Sequence, residues 1–197
     1  MSKITLYTAN PSRGTNVRWM LAECGADYDT VTLDYPQLKE ADYLAINPMG
    51  KVPALTHAGQ VITESPAILT YLAELFPEKR LIPAAGTPER GQYYRWLLFG
   101  SQLEYAILDR WRQVPQSEEW RRSLGYGDFD TALHTLQTLL SDGREYAVGQ
   151  HFSALDIYLT ALLSWGMFRA QVLPNAEPFA GYMQRHLQRE AAKATLK

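Results

Sequence analysis

The 197-residue chain has a single cysteine, Cys24, so no disulfide can form within it, a usage that suits a reducing compartment. No apolar run opens it: Met1-Ser2-Lys3-Ile4-Thr5-Leu6 lacks the stretch that a signal peptide needs. The least polar later stretch, residues 158–168, is too short to span a bilayer. There is no excess of positive charge either. Lys and Arg number 19 against 21 Asp and Glu, a formal net charge of −2, which argues against a general nucleic-acid or membrane-surface binder. The four histidines, His57, His134, His151 and His186, are scattered without metal-ligand spacing, so no metal is expected. Internal repeats and low-complexity segments are missing as well. What remains is a cytoplasmic protein whose hydrophobic content, 46%, is enough for a real core. Its length allows one large or two small domains.

The first eighty residues alternate strand and helix signals. Ile4-Thr5-Leu6-Tyr7 is β-rich, and Asn10-Pro11-Ser12 breaks it. Ser12 can cap a helix in which Val17, Met20, Leu21 and Cys24 recur at helical spacing, ending at Gly25. Residues 29–33 alternate as a second strand, and 35–46 are weakly helical. Residues 52–56 and 60–63 read as a hairpin around His57-Ala58-Gly59. Ser65 caps a further helix, with Pro66 in its first turn and Ile68, Leu69, Leu72 and Leu75 as its buried face. The order βαβ then ββα predicts a parallel pair followed by an antiparallel one, a mixed sheet that matches a thioredoxin-like domain. Residues 81–88 carry two prolines and a glycine and read as a linker. All that follows is helical, so an α/β domain over 1–80 precedes an all-α domain over 89–197. A long helix over 90–111 has Tyr94, Leu97, Leu98, Leu103, Ile107 and Leu108 available for packing. It is interrupted at Val114-Pro115, and a polar stretch runs through Gly127. Further helices are expected over 129–140, 157–168 and 178–189. Ser153-Ala154-Leu155-Asp156 forms a capping box ahead of the third, with Asp in the usual Glu/Gln place.

One constellation points to chemistry. Asn47-Pro48-Met49-Gly50-Lys51-Val52-Pro53-Ala54-Leu55 is followed nine residues after Leu55 by Glu64-Ser65-Pro66. A proline after Val52 makes a cis bond affordable. Such a bond would turn the Val52 N–H and C=O outward, able to pair with an extended ligand as a strand would. Glu64 supplies a carboxylate that can hold an ammonium, and the helix start at Ser65 can hold a carboxylate. A ligand end carrying both charges is an amino-acid head group, so the pieces suit a small peptide. Each piece alone is more often an ordinary turn, strand or capped helix.

These residues, with Phe152-Ser153-Ala154-Leu155-Asp156-Ile157-Tyr158, resemble the glutathione S-transferase family. Gly125-Tyr126-Gly127-Asp128-Phe129-Asp130 and Gly143-Arg144-Glu145-Tyr146 look like a bacterial branch of it, and Ser12 in the first loop resembles its serine-type members. The resemblance implies a thioredoxin-like domain that holds glutathione, an all-α domain that shapes the other half of the pocket, and a homodimer that serves detoxification. By the family pattern Val52, before Pro53, pairs its backbone with the cysteinyl part. Glu64 meets the γ-Glu ammonium and Ser65 the γ-Glu carboxylate. Lys51 approaches the glycine carboxylate, with Lys39 as a weaker candidate. The alternative for both lysines is plain solvated charge.

The chemistry needs a thiolate. A free thiol near pKa 8.5 is only a few per cent ionised at neutral pH, and lowering that by about two units takes about 2.7 kcal/mol. A hydroxyl donating to the sulfur at the positive end of a helix can supply it. Ser12 is the first candidate for that donor, Tyr7 at the end of the first strand the second, and the Asn10 amide the third. Arg13 adds positive charge beside the thiolate, or is a surface arginine.

The electrophile is expected between Ala9-Asn10 and the helical domain, with Tyr105, Leu108, Trp111, Trp165 and Phe168 as walls. An aromatic stripe at helical spacing is more often core, so about half of these five are expected to be buried. Gln102 or Glu104 is a candidate for reaching a partner subunit's glutathione. Cys24, on an apolar helix face, reads as structural, and Asp156 as a folding carboxylate rather than an acid–base group.

The reading is a transferase that joins glutathione to a small apolar electrophile. Isomerisation, dehalogenation or peroxide reduction would use the same sulfur. A disulfide reductase is disfavoured, because no cysteine occupies the first loop. The contrasting reading is a non-catalytic ligand-binding or interaction protein that keeps Val52, Glu64 and Ser65.

Overall fold

A computed structural model of the chain describes residues 2–196. It divides into two compact units, one running to Leu81 and taking in the chain from Glu190 onward, the other spanning Ile82–Arg189. The first contains β1 (Ile4–Thr8), α1 (Gly14–Cys24), β2 (Tyr28–Thr32), a 3-10 turn (Gln37–Lys39), α2 (Ala41–Leu44), β3 (Ala54–His57), β4 (Gln60–Thr63) and α3 (Ser65–Leu75). The sheet order is β2-β1-β3-β4. β1 pairs parallel with β2, and the other two pairings are antiparallel. This is the mixed thioredoxin-like sheet that the βαβ-ββα order predicts.

Strand alternation sorts β1 by face: Ile4, Leu6 and Thr8 are buried, while Thr5 and Tyr7 are half-buried on the other side. Val17, Trp19, Met20, Leu21 and Cys24 of α1 pack with Ile68, Leu69, Leu72 and Ala73 of α3 in the core, whereas Leu75 is only half-buried. Burial pushes the Cys24 thiol up to about 12, so it is an inert apolar side chain.

Local boundaries differ from the sequence expectation for identifiable reasons. β2 runs over 28–32 rather than 29–33, because its five residues match β1 from Ile4↔Tyr28 to Thr8↔Thr32. The expected helix over 35–46 is split by Glu40, which is extended at φ −79°, ψ 152°. β3 begins at Ala54 instead of residue 52, since proline has no N–H for a ladder. The hairpin turn is Ala58-Gly59, both at positive φ (51° and 77°), the two-residue geometry that suits the twist of paired strands. Neither serine is the N-cap itself: α1 starts after Arg13, and α3 starts at Ser65 after Glu64.

In the second unit α4 (Pro88–Trp111) is capped by Thr87, whose Oγ1 accepts from the Arg90 N–H at 3.3 Å. Its buried face is Tyr93, Trp96, Leu97, Gly100, Leu103, Ala106 and Ile107. Tyr94 and Leu98, expected to pack, are instead exposed at 42% and 68%. The polar stretch before residue 128 contains a short helix that periodicity does not reveal, α5 (Glu118–Ser123). Ser117 caps it, acidic residues fill its first turn and basic ones its last, as the helix dipole favours. α6 (Phe129–Leu140) has the expected bounds, and α7 (Ala154–Ser164) passes into a π-helical turn, Trp165–Arg169, before α8 (Phe179–Leu187). α9 (Glu190–Thr195) packs on α1, which is why the last residues group with the first unit rather than the helical one.

Asp156 organises the second unit. It is fully buried and completes the capping box with Ser153. Its oxygens accept from the N–H groups of Ala147 (2.7 Å) and Ser153 (2.8 Å), from the Ser153 hydroxyl (2.9 Å) and from the Tyr182 phenol (2.5 Å). Burial pushes its carboxyl pKa up, while these four donors act to lower it. His186 lies beside it, buried, with Nε2 at 3.9 Å from Oδ1. Burial, then Arg185 and Arg189, lowers the imidazole to about 4, so it is neutral at pH 7.

Asp156→Ala leaves four buried donors unpaired, at about 1–3 kcal/mol each. Allowing for partial relaxation, a loss of about 3–5 kcal/mol is expected, read as the shift in a urea unfolding curve. The folded imidazole of His186 takes a proton only near pH 4, the unfolded one near 6.5. Between those values the unfolded state binds more protons, so this group's contribution to stability falls as pH falls from 6.5 to 4, by about 3 kcal/mol. Unfolding curves of His186→Phe across that range should lack this component of the wild-type slope.

Candidate functional site

The loop from Ala9 to Arg13 carries β1 into α1. Ser12 Oγ accepts from the Gly14 N–H at 3.1 Å and, more weakly, from the Ala9 N–H at 3.4 Å, and it lies 3.1 Å from Thr8 Oγ1. It therefore holds the first N–H of α1 although it precedes the N-cap position. The approach is close: a Cβ on Gly14 would sit 1.9 Å from Thr8 Oγ1, so only glycine fits there. The Tyr35 phenol donates to the Pro11 carbonyl at 2.7 Å, and Arg18 Nη2 donates to Asn10 Oδ1 at 3.1 Å. Arg13 and Asn10 are exposed, whereas Ala9 is buried. Tyr7 turns to the opposite face of the sheet from Thr8, with its ring centroid 6.0 Å from that of Tyr43.

The second loop precedes β3. The Lys51 carbonyl accepts from the Tyr43 phenol at 2.5 Å and from Asn47 Nδ2 at 2.7 Å, while Asn47 Oδ1 takes the Met49 N–H at 3.1 Å. Burial raises the Tyr43 phenol above its ordinary value, so it stays a donor. Lys39 Nζ donates to the carbonyls of Met49 and Gly50, both at 3.3 Å. The Lys39 ammonium is thus engaged by the loop, and the Lys51 side chain is exposed. The Val52–Pro53 peptide is cis, as are Asn10–Pro11 and Glu177–Pro178. Val52 lies outside the β3 ladder, which begins at Ala54.

Glu64 is exposed and sits at φ 64°, ψ 115°. A non-glycine residue there carries about 1–3 kcal/mol of backbone strain, of the kind that collects at ligand clamps. Its carboxylate does not cap α3. Ser65 is buried and opens α3, and Pro66 brings no N–H. The Ile68 N–H is used by the Glu64 carbonyl, so the first-turn donors outside the helix's own ladder are those of Ser65 and Ala67. A carboxylate beside a helix N-terminus suits a zwitterionic head group.

Residues 2–74 match the family model described as "Glutathione S-transferase, N-terminal domain". The chain is 29% identical to a glutathione S-transferase, GstA, of Escherichia coli O157:H7 over 181 residues, 89% of each chain. It is 31% identical to a maleylacetoacetate isomerase of Pseudomonas aeruginosa over 172 residues, 80% of this chain and 79% of that one. A solved sphingomonad glutathione S-transferase, complexed with glutathione, superposes with a TM-score of 0.78 at 33% identity, covering 98% of this chain and 96% of that one. The chain belongs to the glutathione S-transferase family.

As in the family, a helical unit follows the thioredoxin-like one. There the expected electrophile walls are not core. Tyr105 (62%), Trp111 (46%) and Phe168 (57%) are exposed, and Leu108 and Trp165 are half-buried, so the expectation that about half would be buried fails. Trp111 and Trp165 meet edge to face at 6.0 Å, a favoured arrangement for ring quadrupoles. Trp165 and Phe168 lie on the π-helical turn, a distortion often found at functional positions. Glu104 accepts from the Tyr158 phenol at 2.9 Å, and Gln102 is exposed. Among the described residues no cluster of His, Cys, Asp and Glu is placed to hold a metal ion, and no helix is long and apolar enough to cross a membrane. Sequence reasoning missed Thr8, Arg18, Tyr35 and Tyr43. Tyr43 alone left a signal, its spacing of four residues from Asn47, whose N–H donates to the Tyr43 carbonyl at 2.9 Å.

Asn47→Ala removes both amide bonds of a buried side chain and should cost about 1–3 kcal/mol in a urea titration. Glu64→Ala touches an exposed carboxylate and should stay within about 0.5 kcal/mol of wild type in the same measurement.

Proposed function

We propose that this protein is a glutathione transferase: it binds the tripeptide on its thioredoxin-like unit, favours the thiolate and joins it to a small apolar electrophile. The strained, exposed Glu64 beside the start of α3, where the Ser65 and Ala67 N–H groups lie outside the helix's own ladder, is the observation that carries this reading. A carboxylate and helix-end donors side by side match the ammonium and carboxylate of the γ-Glu head. Val52, next to Pro53 and outside the ladder, is the group for the cysteinyl backbone, and Lys51 the one for the glycine carboxylate. Lys39 acts chiefly by holding the loop.

Ser12 is the donor to the sulfur. It lies at the positive end of α1, and its oxygen already accepts backbone N–H groups, so its proton is what remains to offer. Tyr7, on the other face beside Tyr43, is the second choice, and Arg13 adds positive charge. The aromatic surface of Trp111, Trp165, Phe168 and Tyr105, with Leu108, suits an apolar electrophile, with Asn10 and the Ala9 backbone at the first loop. Exposed Tyr94 and Leu98 on α4 favour pairing with a second copy, and the single, buried Cys24 suits a reducing, cytoplasmic compartment. The relative named an isomerase favours one further reading, in which the activated sulfur adds to its substrate and leaves again.

With glutathione bound at neutral pH the wild type should show thiolate ultraviolet absorbance. Ser12→Ala should lose that signal and at least tenfold in turnover, while calorimetric affinity for glutathione changes less than threefold; Glu64→Ala should weaken that affinity at least tenfold. Loss of the thiolate signal in Tyr7→Phe but not in Ser12→Ala would transfer the role to Tyr7. Unchanged signals in both would favour a non-catalytic binding protein.

A further inference from the structure

Arg18 stands on the second turn of α1, half-buried, and reaches back to the first loop, where Nη2 donates to Asn10 Oδ1 at 3.1 Å. A guanidinium has five donors and no acceptor. Only the amide oxygen of Asn10 can face it, so the orientation of this amide is dictated by its neighbour. The Asn10 NH2 group is thereby turned away from Arg18, on a residue that is exposed. Arg18 Nε is buried without a hydrogen-bond partner. Burying a donor unpaired costs free energy, a cost that an arginine reaching into solvent would avoid. The same loop is held a second time by Tyr35 at Pro11 and a third time by Ser12 at Ala9 and Gly14. Between these anchors the side chain of Asn10 has its oxygen fixed and its two N–H donors presented two residues before Ser12.

We propose that Arg18 is a positioning residue for thiol activation, orienting the Asn10 amide so that Nδ2 donates a second hydrogen bond to the glutathione sulfur beside that of Ser12. The proposal rests on the transferase reading above. A thiolate is large and accepts several hydrogen bonds, each stronger for its charge. A neutral amide donor adds stabilisation of the anion without a competing base. Asn10 makes the contact and Arg18 sets its direction.

The test is the pKa of the glutathione thiol bound to the protein, read from thiolate absorbance against pH, with calorimetric affinity measured on the same variants. Asn10→Ala, at an exposed position, should raise that pKa by about one unit. Arg18→Met should raise it by a similar amount, and the double variant by no more than the larger single effect, because both remove the same bond. Arg18→Lys should recover part of the shift. Asn10→Asp should raise the pKa more than Asn10→Ala, since it keeps the contact with Arg18 but turns an oxygen toward the anion. A bound-thiol pKa unchanged in Asn10→Ala overturns the proposal, as does an Arg18→Met variant that lowers only the melting temperature, or single effects that add. A wild type that binds no glutathione overturns the transferase reading and this inference together, so the two failures are told apart by the affinity measurement.

Discussion

The Lys51 carbonyl oxygen accepts from two side chains at once, the Tyr43 phenol and the Asn47 amide, and the placing of Val52 depends on it. Tyr43 comes from α2 and Asn47 from the turn just after, so the crossover between β2 and β3 is held against the residue that precedes the site. Lys39 adds a tie at Met49 and Gly50, and the other end of Asn47 fixes the Met49 N–H. Backbone groups buried without partners are costly, and here side chains satisfy the turn. The strand ladder takes over at Ala54. Val52 lies between these two fixed stretches, its backbone held by the turn before it and the ladder after it; for the proposed ligand this would spare part of the ordering that binding otherwise costs.

The second unit is built on the opposite electrostatic plan. Asp156 is a charge-bearing group placed where water cannot reach, and four donors answer it. It ties the 147 and 153 backbone and the Tyr182 phenol to one point, so the chain entering α7 and the helix α8 are fixed together. Replacing one partner of such a cluster costs more than the cluster contributes net, because the remaining groups stay buried and unpaired. Glu64 is the converse: a carboxylate left in solvent on a strained backbone, whose position makes sense through what it can bind.

What could be read without coordinates follows from the range of the interactions. The order of strands, the two long amphipathic helices and the capping box at 153–156 are local patterns, and each lies close to where residue spacing put it. The cis peptide at Val52-Pro53 and the helix start at Ser65-Pro66 were legible because few residue types suit a cis bond or a first helical turn. Position 10 was legible only as a possible donor; its fixed orientation depends on Arg18, which reads as one more charge on a helix. Tyr35 and Thr8 left no trace at all, since an exposed tyrosine and a strand threonine are ordinary until a loop folds against them. Exposure on α4 was misjudged for a similar reason: Tyr94 and Leu98 fit the apolar stripe, but the stripe that packs runs through Tyr93, Trp96 and Leu97. The short helix α5 has no apolar period and is specified instead by Ser117 and the order of its charges.

The surroundings of Ser12 bear on what its hydroxyl can do. An oxygen that accepts the N–H groups of Ala9 and Gly14 has its lone pairs turned inward, so it is poorly placed to attack a substrate. The same two bonds draw electron density from the O–H and make the proton a better donor. Thr8 Oγ1, at 3.1 Å, is the competitor for that proton, but a neutral hydroxyl is a weaker acceptor than a thiolate, whose charge roughly doubles the strength of the bond. On the proposed reading, an anion at the start of α1 would draw the Ser12 O–H toward itself by rotation about the C–O bond, with no proton transferred, and the helix dipole would act in the same direction. Such an arrangement would then stabilise a charge on the ligand's sulfur and create none on the protein, and for that task a serine without a histidine beside it is sufficient.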